Sequence, residues 1–256
     1  MLNFRLPLIA FAFVSALGTF GAEAPAPQAK SAPAPVAPAV VGRDAMFWLD
    51  ANDAGAVGAE LDVWHDHRGP GYFMAKRSLP VKPKVIAVEK GPLAGKKTVS
   101  FHSFGTRCDM DFTRQRVEEA FFVMEMDRPT DDSNFYLGDA RQCMFHGGYQ
   151  TGTFFFEAAR GIVGRCRISL DGQLIEKPLT TLMPEKGYHV YSWNTGSNTE
   201  PIYAGRITRD RDVAEKVGHH RYGGKRLSEL ILFNRVLTAE ERRSIEAYLK
   251  AKWFTK

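Results

Sequence analysis

Short apolar runs are the feature that most limits how this chain can fold. Between residues 45 and 235 they recur at strand length, as in AMFWLD, KVIAV, EEAFFVMEM, HVYSW and SELILF, with Gly, Pro, Asn and Asp between them. Val, Ile, Phe, Tyr and Trp dominate these runs, as they do in β-strands. No segment of helical periodicity separates them, so a fold of alternating strands and helices is excluded. The pattern predicts an all-β sandwich or barrel.

Two local signals refine this prediction. Asp171-Gly172 in SLDGQLIE is typical of a tight hairpin turn, because both positions tolerate a positive φ. Near the end of the chain, Thr238 and Glu241 have the spacing of a capping box, which starts a helix. The segment that follows is predicted to form one amphipathic helix with an apolar stripe of Ile245, Tyr248, Leu249 and Trp253.

The N-terminal segment has the composition of an export signal. One positive charge in MLNFR precedes the apolar run LPLIAFAFVSALGTF and the small residues GAEA. We therefore expect residues 1–24 to be a signal peptide, with cleavage after Gly18 or Gly21 as alternatives. We then expect a secreted, periplasmic or cell-envelope protein, without a stable transmembrane span once the signal is removed. A retained membrane anchor is the competing interpretation.

Proline and alanine dominate the next segment, residues 25–42. So many prolines prevent a helix, and the segment has little to bury, so it is predicted to be a semi-rigid linker. The folded domain is then expected to span residues 43–256. Its three cysteines, Cys108, Cys143 and Cys166, match no zinc-binding spacing. The sequence leaves two possibilities: one disulfide with a spare thiol, or three buried thiols.

Charge excludes one class of partner. The chain carries a net charge of +5 and has a pI of about 9.1, yet no Lys/Arg run is unbroken enough to form a nucleic-acid arm. The basic clusters in residues 82–97 and 225–235 are interpreted as a solvated surface, and no nucleic-acid partner is expected.

The stretch ELDVWHDH first suggests chemistry. Glu60 and Asp62 are two residues apart and would share one face of a strand. His65 and His67 repeat the spacing with imidazoles, which is one way to chelate a metal. A retaining glycosidase, however, needs two carboxyl groups about 5–5.5 Å apart, and Asp62 cannot fill both roles. A structural strand with solvated histidines is the favoured interpretation.

Oxygen ligands cluster just before this stretch. Asp50, Asn52 and Asp53 form a D-x-N-D sequence whose side chains suit Ca²⁺, the one cofactor that the sequence suggests. The alternative is a turn in which Asn and Asp satisfy nearby backbone amides before Gly55. The turn is favoured, because the spacing is not that of a regular calcium loop and no Glu closes it.

Two turn-rich segments are the places where a ligand is expected. HGGYQTG supplies His146 and Tyr149, and SWNTGSN supplies Trp193 and Asn194. Aromatic rings can stack on sugars while planar polar groups bind hydroxyls, and loops on a rigid scaffold often carry binding residues. The alternative for Trp193 is a core position. No nucleophile elbow, phosphate loop or dinucleotide fingerprint accompanies these segments.

Several segments together resemble a known family. FWLDANDAG, VWHDHRGPG, VSFHSFG and the C-terminal RLSELILFNRVLTAEERRSIEAYLKAKW are similar to LamG-like jelly-roll domains of the concanavalin A-like lectin/glucanase superfamily, of the exported bacterial type. The resemblance covers about residues 45–255, and the C-terminal block is its most specific part. It implies a two-sheet antiparallel jelly-roll sandwich with one C-terminal amphipathic helix packed outside.

The resemblance also bears on function. It implies that Trp64 is a core aromatic, and that Trp64 or His65 stands where catalytic relatives carry a second Glu. No catalytic residue is therefore predicted. We expect an exported, non-catalytic recognition domain that binds a polysaccharide or glycoconjugate. A glycoside hydrolase or lyase of the same fold is one alternative, and a structural or adhesion module with an envelope protein partner is another.

Overall fold

The computed structural model describes residues 34–77, 81–101, 108–126, 136–138, 151–155, 166–196, 201–207 and 225–255. The predicted signal peptide lies outside these ranges, as does the first half of the predicted linker. Within the described ranges, no helix is both long and apolar enough to cross a membrane.

Twelve strands form the framework of the described chain. They are β1 Phe47–Asp50, β2 Val63–His65, β3 Met74–Arg77, β4 Lys84–Ala87, β5 Lys97–Ser100, β6 Met110–Arg116, β7 Glu119–Met126, β8 Arg167–Leu170, β9 Gln173–Leu174, β10 His189–Asn194, β11 Tyr203–Ile207 and β12 Lys225–Phe233. The predicted hairpin at Asp171-Gly172 is confirmed, since both residues have positive φ and join β8 to β9.

The strands form two antiparallel sheets, which confirms the predicted all-β sandwich. The larger sheet runs β4-β5-β12-β7-β10-β8-β9, with β1 also paired to β12, and the smaller sheet runs β11-β6-β3-β2. Their facing sides meet in an apolar core, where the ring of Phe47 stacks on that of Phe112 at 5.2 Å. Trp64 is fully buried in this core, as expected.

Two helices flank the sheets in the described ranges: α1 Ala39–Asp44 and α2 Ala239–Phe254, with a 3-10 turn at Ala51–Asp53. The N-terminus of α2 has the predicted capping box between Thr238 and Glu241. Its buried residues are the predicted stripe: Ile245, Tyr248, Leu249 and Trp253. The amphipathic C-terminal helix is therefore confirmed, and it covers the outer face of the larger sheet.

The folded part begins earlier than expected. Pro38 is the last proline of the linker, and α1 begins directly after it and buries Val40 and Val41. The predicted boundary after residue 42 thus falls inside a helix. The reason is that residues 39–41 combine freedom from proline with two apolar side chains that the core accepts.

Candidate functional site

The ELDVWHDH stretch proves to be part of the scaffold. Glu60 and Asp62 are exposed, and the Lys82 ammonium lies 3.9 Å from a Glu60 oxygen and 3.1 Å from an Asp62 oxygen. Arg77 pairs with the other Asp62 oxygen at 3.1 Å. Surface ion pairs of this kind neutralise both carboxylates. The geometry thus gives no support to general acid–base chemistry at this strand.

The other residues of that stretch hold the fold together. The indole N–H of Trp64 donates to the carbonyl of Asp50 at 3.0 Å and links the two sheets. Asp66 is buried, accepts the backbone N–H of Trp48 at 2.9 Å and binds the Arg68 guanidinium with both oxygens. These contacts fix the chain as it leaves β2.

The predicted calcium residues come together only in part. Ligand atoms of Asp50, Asp53 and His67 lie within 4.8 Å of one another, and His67 Nδ1 bonds an Asp53 oxygen. Asn52 is not a member of this group; instead, its backbone N–H donates to Asp50 Oδ1 at 2.8 Å, as in the turn interpretation. Ca²⁺ takes about six to eight oxygen ligands. Two carboxylates and an imidazole do not fit it.

A lysine already supplies positive charge at this position. The Lys252 ammonium bonds Asp50 Oδ2 and lies 2.7 Å from Glu229 Oε2. Glu229 is fully buried and also accepts indole N–H groups from Trp48 and Trp253, at 2.8 and 2.5 Å. We call Asp50, Glu229 and Lys252 the Lys252 cluster. It pins α2 to β1 and β12.

The pKa values in the Lys252 cluster follow from its burial. Burial raises the pKa of Glu229 and outweighs the charge of Lys252, which lowers it. Burial alone would lower the pKa of Lys252, but Glu229 and Asp50 raise it on balance. The cluster is a closed arrangement in which charges of opposite sign compensate one another.

An open groove lies beyond the C-terminal end of α2. Its first cavity has a volume of about 530 Å³, and its second has a volume of about 500 Å³. Both are lined by Pro92 and Tyr188, so they adjoin each other. We call the two cavities together the Tyr188 groove; the remaining wall of the first is formed mainly by Asp171, His189, Lys250 and Phe254.

Polar groups reach the first cavity from the Asp171-Gly172 turn, from β10 and from α2. His189 Nδ1 bonds Asp171 Oδ2 at 2.7 Å, and the other Asp171 oxygen accepts the Val190 N–H at 2.9 Å. Burial opposes ionisation of Asp171, but His189 and Val190 outweigh it and lower the pKa of this carboxyl. Lys250 donates to the Asp171 carbonyl at 2.5 Å. This leaves the imidazole oriented at the cavity wall by a fixed aspartate.

The second cavity has its own charged pair. Arg226 Nη1 lies 2.5 Å from Glu125 Oε2, and Glu125 Oε1 accepts the backbone N–H of Gly187 at 3.0 Å. Burial raises the pKa of Tyr188, between the two cavities, to about 12, so its hydroxyl keeps its proton at neutral pH. The groove thus alternates apolar surface with hydrogen-bonding groups along its length.

A third, smaller cavity lies on the other side of the Asp171-Gly172 turn. Its volume is about 190 Å³, and its wall is mostly polar. We call it the arginine pocket, because three guanidinium groups line it beside α2; the main lining residues are Arg167, Ser192, Asn194, Arg242, Arg243 and Glu246.

The four predicted ligand residues have different outcomes. Asn194 lines the arginine pocket. Trp193 lies in β10 and is 2% exposed, so its expected position in a loop is wrong. A buried indole has no face for a sugar, because residues 191 and 193 point into the core while 192 and 194 point outward. His146 and Tyr149 lie outside the described residues.

Sequence reasoning missed the residues of the Tyr188 groove. Pro92, Tyr188, His189 and Phe254 come from three distant segments, and none of them was predicted to bind the ligand. Pairing of β8 with β10 is what brings the Asp171 turn to His189. Cys108 and Cys166 are buried, whereas Cys143 lies outside the described residues.

Comparisons of the chain with protein-family models, with curated proteins and with solved structures found no match. The LamG-like resemblance therefore rests on the sequence motifs alone and stays a prediction. The cavities and the residues that line them are therefore the basis for proposing a function.

Proposed function

We propose that this chain is an exported recognition domain that binds a polysaccharide or glycoconjugate in the Tyr188 groove without cleaving it. The supporting observation is the pair of adjoining cavities, each near 500 Å³, that share Pro92 and Tyr188. A single compact ligand would need one such cavity, whereas two in succession suit an extended chain. Apolar walls with a few convergent polar groups are typical of ligand sites.

The chemistry of the groove suits sugars. Tyr188, Pro92 and Phe254 offer apolar surface, against which the C–H faces of a sugar ring can pack. His189 and Lys250 supply hydrogen-bonding groups at the same wall. Export and a location in the cell envelope or outside the cell belong to this proposal, since they rest on the predicted signal segment.

Binding without cleavage is favoured by the state of the carboxylates. Asp171 uses one oxygen for His189 and the other for Val190, so neither is free to attack a sugar or protonate a leaving group. Hydrolysis needs a second carboxyl group in addition. Asp171 is the only carboxylate among the described residues lining the first cavity; Glu89 and Glu125 line the second cavity, where Glu125 is paired with Arg226.

A matched pair of histidine variants tests the proposal. The full chain would be titrated with laminarin, xylan and oligosaccharides of agarose and carrageenan by calorimetry. His189→Ala should weaken binding about tenfold, the usual effect of losing one or two hydrogen bonds. His67→Ala removes the other aspartate-bonded histidine and should leave affinity unchanged.

Two outcomes would contradict the proposal. One is that the chain binds none of these polysaccharides, and the other is that both histidine variants bind as tightly as the unaltered chain. The same samples would be checked for new reducing ends and for unsaturated chain ends. Cleavage that His189→Ala abolishes would favour a hydrolase or lyase instead.

A further inference from the structure

We infer that the arginine pocket receives an anionic substituent of the polysaccharide, a sulfate ester or a carboxylate, so that the ligand class is an acidic polysaccharide. This inference rests on the proposed function. It adds a second subsite with a chemistry different from that of the Tyr188 groove, and it assigns a role to Asn194 beside the arginines.

The position of the pocket supports a shared ligand. The Asp171-Gly172 turn separates it from the groove: Asp171 lines the groove, and Gly172 lines the pocket. On α2, Lys250 faces the groove and Glu246, one helical turn earlier, faces the pocket. A chain lying along the groove would therefore reach the pocket across one turn of the hairpin.

The turn fits tightly between the two sites. A Cβ atom on Gly172 would lie 3.3 Å from Glu246 Oε2 and 3.3 Å from Lys250 Nζ, and Gly172 has a φ of +78°. A larger residue would displace the ends of these two side chains by a few tenths of an ångström and would be strained at this positive φ. Glycine thus allows the turn to lie close to both side chains.

The charge balance of the pocket is positive. Arg242 is paired with the buried Glu119, whose Oε1 lies 2.7 Å from its guanidinium. Arg167 and Arg243 line the pocket without a described carboxylate at ion-pair distance. Against these two charges stands Glu246, which also accepts the Ser192 hydroxyl. The pocket therefore has excess positive charge.

Guanidinium groups suit such an occupant. They bind carboxylate and sulfur or phosphorus oxyanions through two parallel N–H donors, and these charge-assisted bonds are stronger than neutral ones. Asn194 adds neutral donors at the same wall, whereas the Ser192 hydroxyl already donates to Glu246. A volume of about 190 Å³ holds one such substituent, not a second length of polymer.

The test compares polymers that share a backbone and differ in charge. The full chain would be titrated with oligosaccharides of carrageenan before and after chemical desulfation, which tests sulfate, and with polygalacturonate against its methyl ester, which tests carboxylate. At least one anionic polymer should bind about tenfold more tightly than its neutral partner, as expected for one or two charge-assisted bonds.

Variants of opposite sign make the test specific to the pocket. The double variant Arg167→Gln/Arg243→Gln should lose this preference, whereas Glu246→Gln should increase it. Arg77→Gln removes a positive charge from the smaller sheet and should change nothing. Raising the salt concentration should reduce the preference, because exposed charges are screened.

Failure has two distinguishable forms. Equal binding of charged and neutral polymers, or an equal loss in Arg77→Gln and the double variant, would overturn this inference and leave groove recognition standing. Failure of all four polymers to bind would overturn the proposed function as well. Normal unfolding curves for the variants would confirm that each is folded.

Discussion

Two histidines among the described residues bond an aspartate through Nδ1, but they lie in different surroundings. His67 joins Asp53, and its ring packs 4.1 Å from that of Trp48 beside the Lys252 cluster. His189 joins Asp171 and faces a cavity of about 530 Å³. The same pair of side chains thus lies at the exposed edge of a packed cluster in one place and in the wall of a cavity in the other.

The difference shows why residue types alone do not identify a site. In the Lys252 cluster, Asp50 and Glu229 face a lysine from the same chain, and indole N–H groups complete the contacts. All of these partners are internal. In the Tyr188 groove the polar groups also pair within the chain, but they border a cavity that a ligand can enter. The predictions below depend on how deeply each charge is buried.

The largest expected effect is on stability, at the junction. Lys252→Met leaves Asp50 and Glu229 buried without their cation, which should lower the free energy of unfolding by about 3–5 kcal/mol. Lys250→Met, two residues earlier and exposed, loses only a hydrogen bond to the Asp171 carbonyl and should change it by less than about 1 kcal/mol. Urea unfolding of both variants measures the contrast; equal losses would contradict the distinction.

A second buried lysine sharpens the comparison. Lys225 is more deeply buried than Lys252, and its ammonium donates to the Tyr136 carbonyl at 2.7 Å rather than to a carboxylate. Burial lowers its pKa to about 7, against a weaker opposing effect of Asp109. Above pH 7 the unfolded chain therefore holds a proton that the folded chain has released. The contribution of Lys225 to the free energy of unfolding should therefore rise with pH from about pH 7 upward.

Lys225→Met removes that titration. Between pH 7 and about 8.5, the free energy of unfolding should rise with pH more steeply in the unaltered chain than in the variant. This range ends below the ordinary pKa of cysteine, so the buried Cys166, whose pKa burial raises to about 12, contributes little. Parallel curves for the two proteins would show that Lys225 keeps its proton in the folded state.

The central strands of the larger sheet were predictable because they are buried on both faces. β7 is buried at nearly every position, between the core and α2, so EEAFFVMEM stands out in the sequence. The smaller sheet was largely missed: β3, β6 and β11 bury one face only, and polar or charged residues such as Lys76, Arg114 and Arg206 interrupt them. Half-buried strands of this kind resemble loops in composition.

The sites were less predictable than the fold. Alternation along β10 could have placed Trp193 beside Tyr191 on the inner face and Asn194 on the outer one. No local signal, by contrast, joins Pro92, Tyr188 and Phe254, because strand pairing and helix docking bring them together.

Hydrogen exchange of the full chain, with and without the polysaccharide that binds most tightly, tests the central claim most directly. Binding in the Tyr188 groove should slow exchange of backbone amides in residues 86–91 and 187–189 and at the C-terminal end of α2. Residues 60–67 should exchange as before. Protection confined to residues 60–67, or to any region away from the groove, would contradict the account.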